Sequence, residues 1–212
     1  MELKEMLFAG IEISSGNRPI TYAALDQDLK VILLERYSLS HTLTHLEQHT
    51  NVMLAVNVSF RSRSASAKGA HKVFADLEKK IIQAGFKPYL SHDAPRQWIE
   101  TYPAECFSAL AGQAPFARHT LRGRFQRAAI LYEQGLQIKN PGKSFEEITF
   151  GGLSAGVMPS DPLYSPSELD ALVAAGIAWM LVNKPVNVDL TRKPGRQMIL
   201  IPRADKNWWK KN

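Results

Sequence analysis

An apolar stretch near the start of the chain carries one carboxylate, and this combination restricts the fold more than any other feature. Residues 7–13 are apolar except for Glu12. This pattern predicts a buried central strand with one acid near its end. Gly16 predicts a tight turn, and residues 19–25 predict a second strand that folds back on the first. A buried carboxylate is costly unless it is paired or bound to metal. Glu12 is therefore either a metal ligand or catalytic acid, or a structural acid paired with an arginine or with turn amides.

The composition predicts one globular domain over residues 1–212. Of the 212 residues, 45% are hydrophobic and 22% are charged, which is typical of a protein with a sizeable core. With a single cysteine and no signal-like start, we expect a reducing, cytoplasmic setting. The longest uncharged apolar run, residues 171–182, is too short to cross a bilayer. Cys106 has no positioned base in the sequence pattern and is predicted to be a buried structural thiol.

The net charge of +6 is unevenly distributed. Residues 1–50 carry four basic and seven acidic residues, so the whole basic excess lies beyond residue 50. A basic surface concentrates polyanions and points to nucleic acid as a partner. A merely soluble basic protein explains the same charge equally well.

The next elements extend the sheet. Residues 29–34 predict a third strand, and Ser40 predicts the N-cap of a helix that carries His41, His45 and His49 on one face. Such a histidine face can hold a divalent metal, although we favour a plain surface stripe. Residues 52–60 predict a fourth strand. A strand that follows a helix after a meander is most simply placed parallel to the first strand, which sets Asn57 beside Glu12.

Two basic segments are predicted to lie outside the regular elements. Residues 61–68 form a Ser-rich loop with Arg61 and Arg63 that could follow a phosphate backbone, although a plain flexible loop is the favoured interpretation. Residues 205–212 form a basic aromatic tail.

The second half of the chain predicts alternating helices and short strands. Helices are expected over residues 69–84, from Pro103, over 120–135 and over 144–150, and strands over 86–90, 98–101 and 198–202. Glu100 would then stand at another strand end. Three arginines of one helix, Arg122, Arg124 and Arg127, are expected off its buried face, where they contact phosphates or pair with nearby acids.

The strongest helix start in the chain is at Ser165. Ser165 and Glu168 fit a capping box, and Pro166 fits the first helical position. The helix is apolar nearly all round up to about Val182, so protein must cover most of it. Asp170 is the only charge in its interior. It is either an acid favoured by the helix dipole or an acid that a buried helix brings to the sheet.

Five segments resemble the domain-of-unknown-function 429 family, predicted nucleases with a ribonuclease H-like fold. The similar segments are residues 8–12, 55–57, 95–107, 121–127 and 168–175, of which the Trp-Ile-Glu-Thr-Tyr-Pro and Glu-Leu-Asp-Ala sequences are the most specific. The resemblance implies an α/β fold with a mixed central sheet, in which an antiparallel three-strand meander is joined by parallel strands and helices cover both faces. It also implies hydrolysis of nucleic-acid phosphodiester bonds with magnesium or manganese. The implied catalytic acids are Glu12, Glu100 and Asp170, which bind the metal together with Asn57.

Two positions depart from the family pattern. The acid of the first strand is typically Asp in the family where this chain has Glu12, and related nucleases commonly have Asp at the position of Asn57. A longer acid shifts a bridged metal, and an amide cannot supply its charge. The alternative function is therefore a degenerate ribonuclease H-like module that binds nucleic acid or a protein partner without cutting. An actin-like or sugar-kinase ATPase is a weaker alternative, because the chain shows no phosphate loop.

Overall fold

The computed structural model describes residues 6–13, 19–57, 68–89, 94–146, 154, 163–192 and 198–203. Eight strands lie within them: β1 (Met6–Glu12), β2 (Ile20–Leu25), β3 (Val31–Tyr37), β4 (Asn51–Asn57), β5 (Lys87–Pro88), β6 (Arg96–Thr101), β7 (Val188–Arg192) and β8 (Met198–Pro202). The helices are α1 (Leu39–Glu47), α2 (Lys68–Gln83), α3 (Pro103–Ala111), α4 (Leu121–Glu133), α5 (Pro141–Glu146) and α6 (Pro166–Asn183), and a short 3₁₀ turn spans Pro185–Asn187.

All eight strands belong to one mixed sheet. The strand order is β3-β2-β1-β4-β6-β8-β7, and β5 pairs with β6. Strands β1, β2 and β3 form an antiparallel meander, and β4, β6 and β8 follow in parallel beside β1, as expected. The edge strand β7 is antiparallel to β8 and was not predicted from the sequence. This topology confirms the predicted α/β fold class of meander plus parallel strands.

Helices cover both faces of the sheet. On one side, which we call the α6 face, apolar side chains of β1 and β4 pack with α3, α4 and α6. On the other side, the α1 face, the alternate strand residues pack with α1 and α2. Both faces of the central strands are therefore buried, which explains why β1 and β4 are nearly continuous apolar runs.

Gly10 lets α6 approach β1 at backbone distance. A Cβ atom on Gly10 would lie 2.1 Å from the carbonyl oxygen of Ala171 and 2.5 Å from the amide nitrogen of Ala175. The start of α6 is fixed by the predicted capping box, because Ser165 and Glu168 each accept a hydrogen bond from the other's backbone amide. Together these contacts hold Asp170 over the carboxyl end of β1.

Several predicted boundaries need correction. Leu29 has a φ of +62° and ends a turn, so β3 begins at Val31 rather than at residue 29. The N-cap of α1 is Ser38 and not Ser40, because the Ser38 hydroxyl accepts the hydrogen bond from the His41 amide. Helix α5 begins at Pro141, and the predicted end at residue 150 lies outside the described residues.

Other predicted segments fall wholly or partly outside the described residues. These are the turn at residues 14–18, the end of the fourth strand at 58–60, the basic loop at 61–67 with Arg61 and Arg63, and the tail at 205–212. Lys68, which we expected to close the basic loop, is the first residue of α2. That residues 1–212 form a single domain stays a prediction.

Candidate active site

Three polar residues stand in one row across the carboxyl ends of the parallel strands. Glu12 of β1 is the register partner of Asn57 of β4, which is the partner of Thr101 of β6. Register partners in a sheet point to the same face, and this row points to the α6 face because Ile99 and Phe8 of the same parity pack there. The expectation that Glu12 and Asn57 lie at neighbouring strand ends is confirmed.

Asp170 approaches this row from helix α6, which packs on the same face of the sheet. Arg118 lies between Asp170 and Glu12. The Arg118 Nη2 atom is 2.8 Å from Asp170 Oδ2 and 3.8 Å from Glu12 Oε1. Because both oxygens lie within 4 Å of one nitrogen atom, the two carboxylates are much closer than the roughly 10 Å beyond which they could not share a metal pair. The side chains of Glu12 and Asp170 are only 7% and 8% exposed.

Both carboxyl groups have raised pKa values. Burial is the main cause of the rise in the pKa of Glu12 to about 8, the charge of Asp170 adds to it, and Arg118 opposes it. Burial also raises the pKa of Asp170 to about 6, against the opposing charges of Arg118 and Arg127. Two acids in a weakly solvated position near one another are typical of a site whose charge is completed by a cation.

One of the three α4 arginines does not lie where we predicted. Arg127 is buried, and its Nη1 donates to the carbonyl oxygens of Phe116 at 2.8 Å and Gly123 at 3.0 Å, so its predicted position off the buried face is wrong. The reason is that α4 packs against both α3 and α6, so Arg127 lies over the Phe107 ring and its charge acts on Asp170.

The other two α4 arginines differ in exposure. Arg124 is partly buried and donates to the carbonyl oxygens of Leu163 and Tyr164, which ties α4 to the segment before α6. Arg122 is exposed, and its guanidinium carbon lies 3.7 Å from the centre of the Phe116 ring. Of the three, Arg122 is the exposed one.

Glu100 does not join Glu12 and Asp170. It is the register partner of Val56, one position before the row of Glu12, so its side chain points to the α1 face. Glu100 is buried there, 1% exposed. Within the described ranges, no group of three or more His, Cys, Asp or Glu residues is arranged to hold a metal ion. The predicted convergence of three carboxylates is therefore wrong, because a shift of one residue reverses the face of a strand side chain.

The histidine stripe lies on the α1 side of the sheet and contacts tyrosines. The His41 ring stacks on Tyr37 with centroids 4.3 Å apart, and His45 Nδ1 is 3.2 Å from the Tyr22 hydroxyl. Burial and the neighbouring histidines lower the pKa of His45. These contacts place the stripe in packing rather than in the carboxylate site.

Cys106 is buried in the core of the α6 face. Its Sγ atom is 3.1 Å from the Thr101 hydroxyl, and burial raises the pKa of its thiol to about 12. A thiol with this pKa stays protonated, which agrees with the structural role that we expected.

A comparison with protein-family models identifies a family for this sequence. Residues 18–187 match the model described as "Protein of unknown function (DUF429)". The chain belongs to this family. The match confirms the resemblance that the sequence segments indicated.

Solved structures with a similar fold include two of RuvC from Thermus thermophilus. The DUF429 chain shares 16% identity with "Thermus thermophilus RuvC structure" at a TM-score of 0.47, over 84% of this chain and 96% of that one. With "T. thermophilus RuvC in complex with Holliday junction substrate" the identity is 15% and the TM-score 0.43, over 82% and 93% of the two chains. At these values neither similarity supports a statement about activity. No curated protein matches the sequence.

The donor set of the DUF429 chain fits a divalent cation in part. Glu12 and Asp170 supply hard carboxylate oxygens, and Asn57 supplies an amide oxygen in the same row. Glu12 Oε2 is buried and has no hydrogen-bond partner in the described part of the chain. A buried carboxylate oxygen of this kind is available to a cation. The Arg118 guanidinium meanwhile lies where a cation would neutralise both acids.

The sequence interpretation missed Arg118. It lies in the loop between α3 and α4, where no periodicity marks one residue over another. Arg118 comes close to Glu12 and Asp170 only because the folded chain places this loop at the end of β1. The one available signal was indirect: two buried acids require a cation, and Arg118 is the single lysine or arginine of this loop.

No helix in the described segments is long and apolar enough to cross a membrane.

Proposed function

We propose that the chain is a divalent-metal-dependent nuclease whose metal site is built on Glu12 and Asp170, with Asn57 beside them. One observation supports it above all: two buried carboxylates from β1 and α6 share a single cation position at the carboxyl ends of parallel strands. Ligand sites of open α/β sheets lie at this end of the strands. Magnesium or manganese would, when bound, activate a water and support the leaving oxygen of a phosphodiester.

The residues of the chain divide the remaining tasks. The raised pKa values of Glu12 and Asp170 mean that a cation, by favouring the ionised forms, also sets the protonation state of the site. Asn57 can orient a ligand but adds no negative charge. We assign the α4 contact with the phosphate backbone of a nucleic acid to Arg122, because it is exposed beside Phe116. Arg61 and Arg63 are proposed to assist it.

A second candidate function is favoured by two particular observations. Glu100 points to the opposite face, and Arg118 already offsets one of the two negative charges that Glu12 and Asp170 carry when both are ionised. A site with two carboxylates, one amide and a built-in guanidinium has less negative charge to offer a metal pair than a site with three or four acids. The alternative is therefore a degenerate module that binds nucleic acid without cutting it.

The test compares manganese-induced stabilisation among variants. Thermal melts of the wild type with and without manganese should show a rise of several degrees, because a ligand at 100 times its dissociation constant adds about 2.7 kcal/mol. Asp170→Asn and Glu12→Gln should lose the rise, whereas Glu100→Gln, on the other face, should keep it. Cleavage of labelled DNA and RNA should follow the same order.

The outcomes separate the two candidates. Stabilisation together with cleavage supports the nuclease. Salt-sensitive nucleic-acid binding by a wild type that manganese neither stabilises nor activates supports the degenerate module. A manganese response that survives in Asp170→Asn would contradict the assigned metal site in either case.

A further inference from the structure

We propose that Arg118 binds the phosphate of the nucleic-acid substrate. Until another cation binds the carboxylate pair, Glu12 and Asp170 hold the Arg118 guanidinium and keep it from the phosphate. The inference rests on the proposed function, because it assigns a substrate-binding residue to the same site. It follows from the position, the free donor capacity and the anchoring of Arg118.

Arg118 stands between the two acids and the solvent. Its side chain is 38% exposed, whereas the side chains of Glu12 and Asp170 beneath it are 7% and 8% exposed. An anionic group that approaches the acids from solvent therefore meets the guanidinium first. A bare pair of ionised carboxylates would repel a phosphate, and the guanidinium on their solvent side reduces this repulsion because it offsets one of the two negative charges.

The guanidinium has donor capacity that the acids do not use. Arginine carries five N–H donors in a planar fork that matches a phosphate or a carboxylate. Its Nη2 atom contacts both acids, but Nε is buried and has no acceptor in the part of the chain that the structure describes. Once the side chain rotates away from the acids and Nε is no longer buried, a phosphate can accept two parallel bonds from this fork, which the present contacts of Nη2 do not provide.

The backbone before Arg118 is fixed, so the guanidinium can exchange partners by side-chain rotation alone. The Ala117 carbonyl accepts hydrogen bonds from the Thr120 amide at 3.0 Å and the Thr120 hydroxyl at 2.7 Å. The same carbonyl packs on Gly123, where a Cβ atom would lie only 2.0 Å away. The carbonyl of Phe116 is held by the buried Arg127. The reach of Arg118 is thus set by its own flexible side chain from a rigid base.

The acids bind the guanidinium because buried charge requires a partner. When the negative charge of the pair is removed, whether by a metal ion or by neutral substitution, the main attraction that holds Arg118 in place is lost. The fork is then available to a phosphate at the edge of the site. This exchange can be tested without any metal.

The experiment is a mutant cycle in oligonucleotide binding. A short fluorescein-labelled oligothymidylate is titrated with protein in the presence of a chelator, and the anisotropy is recorded for wild type, E12Q/D170N, R118Q and the triple variant. E12Q/D170N should bind about tenfold more tightly than wild type, since the guanidinium is released, and this gain should fall below about threefold in the R118Q background. R122Q serves as the control, because it removes an exposed arginine of the same region that does not contact the acids.

The cycle separates release of Arg118 from a general change in charge. In the R122Q background the gain from E12Q/D170N should stay near tenfold, although the overall affinity is lower. An equal gain with and without Arg118 would overturn the proposal, because the net charge alone would then explain it. Thermal melts check that each variant folds. If R118Q is unstable, R118K replaces it, because lysine keeps the charge but not the planar fork. The affinity gain from E12Q/D170N should be reduced in the R118K background as well. The manganese melts test the proposed function by themselves, so either result can fail without the other.

Discussion

Each face of the sheet carries one strand acid near the carboxyl ends of the parallel strands, Glu12 on the α6 face and Glu100 on the α1 face. The residues around the two acids differ. On the α6 face, Glu12 meets Asp170 and Arg118, and its pKa is raised to about 8. On the α1 face, Glu100 lies one register position earlier, in the row of Ile11 and Val56. The same row contains Tyr22, whose hydroxyl lies 3.2 Å from His45 Nδ1 in a packing contact. A single step along a strand thus separates a candidate active-site acid from an acid in the opposite core.

The largest effect that we expect comes from closing the gap that lets α6 reach β1. Gly10→Ala should lower the free energy of unfolding by about 3 kcal/mol, because the new Cβ would meet the backbone of α6 at 2.1 Å and the backbone cannot rotate away. Urea titrations of the variant measure this loss. The displaced helix should also move Asp170 from Glu12 and so weaken any manganese-induced stabilisation.

Gly176→Ala, in the helix α6 that packs on Gly10, is the matched control. A Cβ there would lie 3.4 Å from the Leu136 Cδ1 atom, at the edge of an ordinary contact with a movable side chain. Because alanine favours the helix by up to about 1 kcal/mol, this variant should be neutral or slightly stabilised. Equal losses in the two variants would contradict the role that we assign to Gly10.

The second effect concerns the pH dependence of stability on the α6 face. Folded Glu12 keeps its proton up to a pH of about 8, whereas in the unfolded chain it loses the proton near 4.5. The unfolded state therefore binds fewer protons between these values, and the free energy of unfolding falls as the pH rises through the window. Asp170, with its pKa raised from 3.8 to about 6, contributes in the same direction over a lower window.

Glu12→Gln should remove most of this fall. Between pH 5 and pH 9, the free energy of unfolding of the variant should rise relative to that of the wild type by on the order of 2 kcal/mol. Urea titrations at intervals across this range measure the difference. The lowered pKa of His45 acts in the opposite direction in both proteins and cancels in the difference. The exposed Glu133→Gln serves as the control and should leave the profile unchanged. A parallel pair of profiles for wild type and Glu12→Gln would show that Glu12 is ionised in the fold at neutral pH.

The smallest effect is expected on the α1 face. Tyr22→Phe removes the hydroxyl that lies 3.2 Å from His45 Nδ1 and should cost about 1 kcal/mol, as for one partly buried hydrogen bond. Tyr132→Phe is the comparison, because its hydroxyl has a 3.4 Å contact with Asn140 in an exposed position and should cost almost nothing. Neither change should alter manganese binding. A loss of the manganese response in Tyr22→Phe would mean that the two faces are coupled.

The fold was predictable because its main signals are local. The apolar run of β1, the turn-separated strands after it and the capping box of α6 each depend on residues close together in the sequence. Errors arose where a tertiary contact or an unusual dihedral angle decided the boundary, as at Leu29, whose positive φ ends a turn inside an apolar run. Strand β7 was missed because its residues acquire their pairing only from β8.

The sequence by itself determined that Glu12 and Asn57 end neighbouring parallel strands and that Asp170 enters from a buried helix, since hydrophobic pattern and chain order specify both. Only the tertiary structure decided which acids meet. The strand register turned Glu100 to the other face, and the loop between α3 and α4 brought Arg118 to the pair. Register and loop path depend on contacts between residues far apart in the chain, so a pattern within any one segment does not contain them.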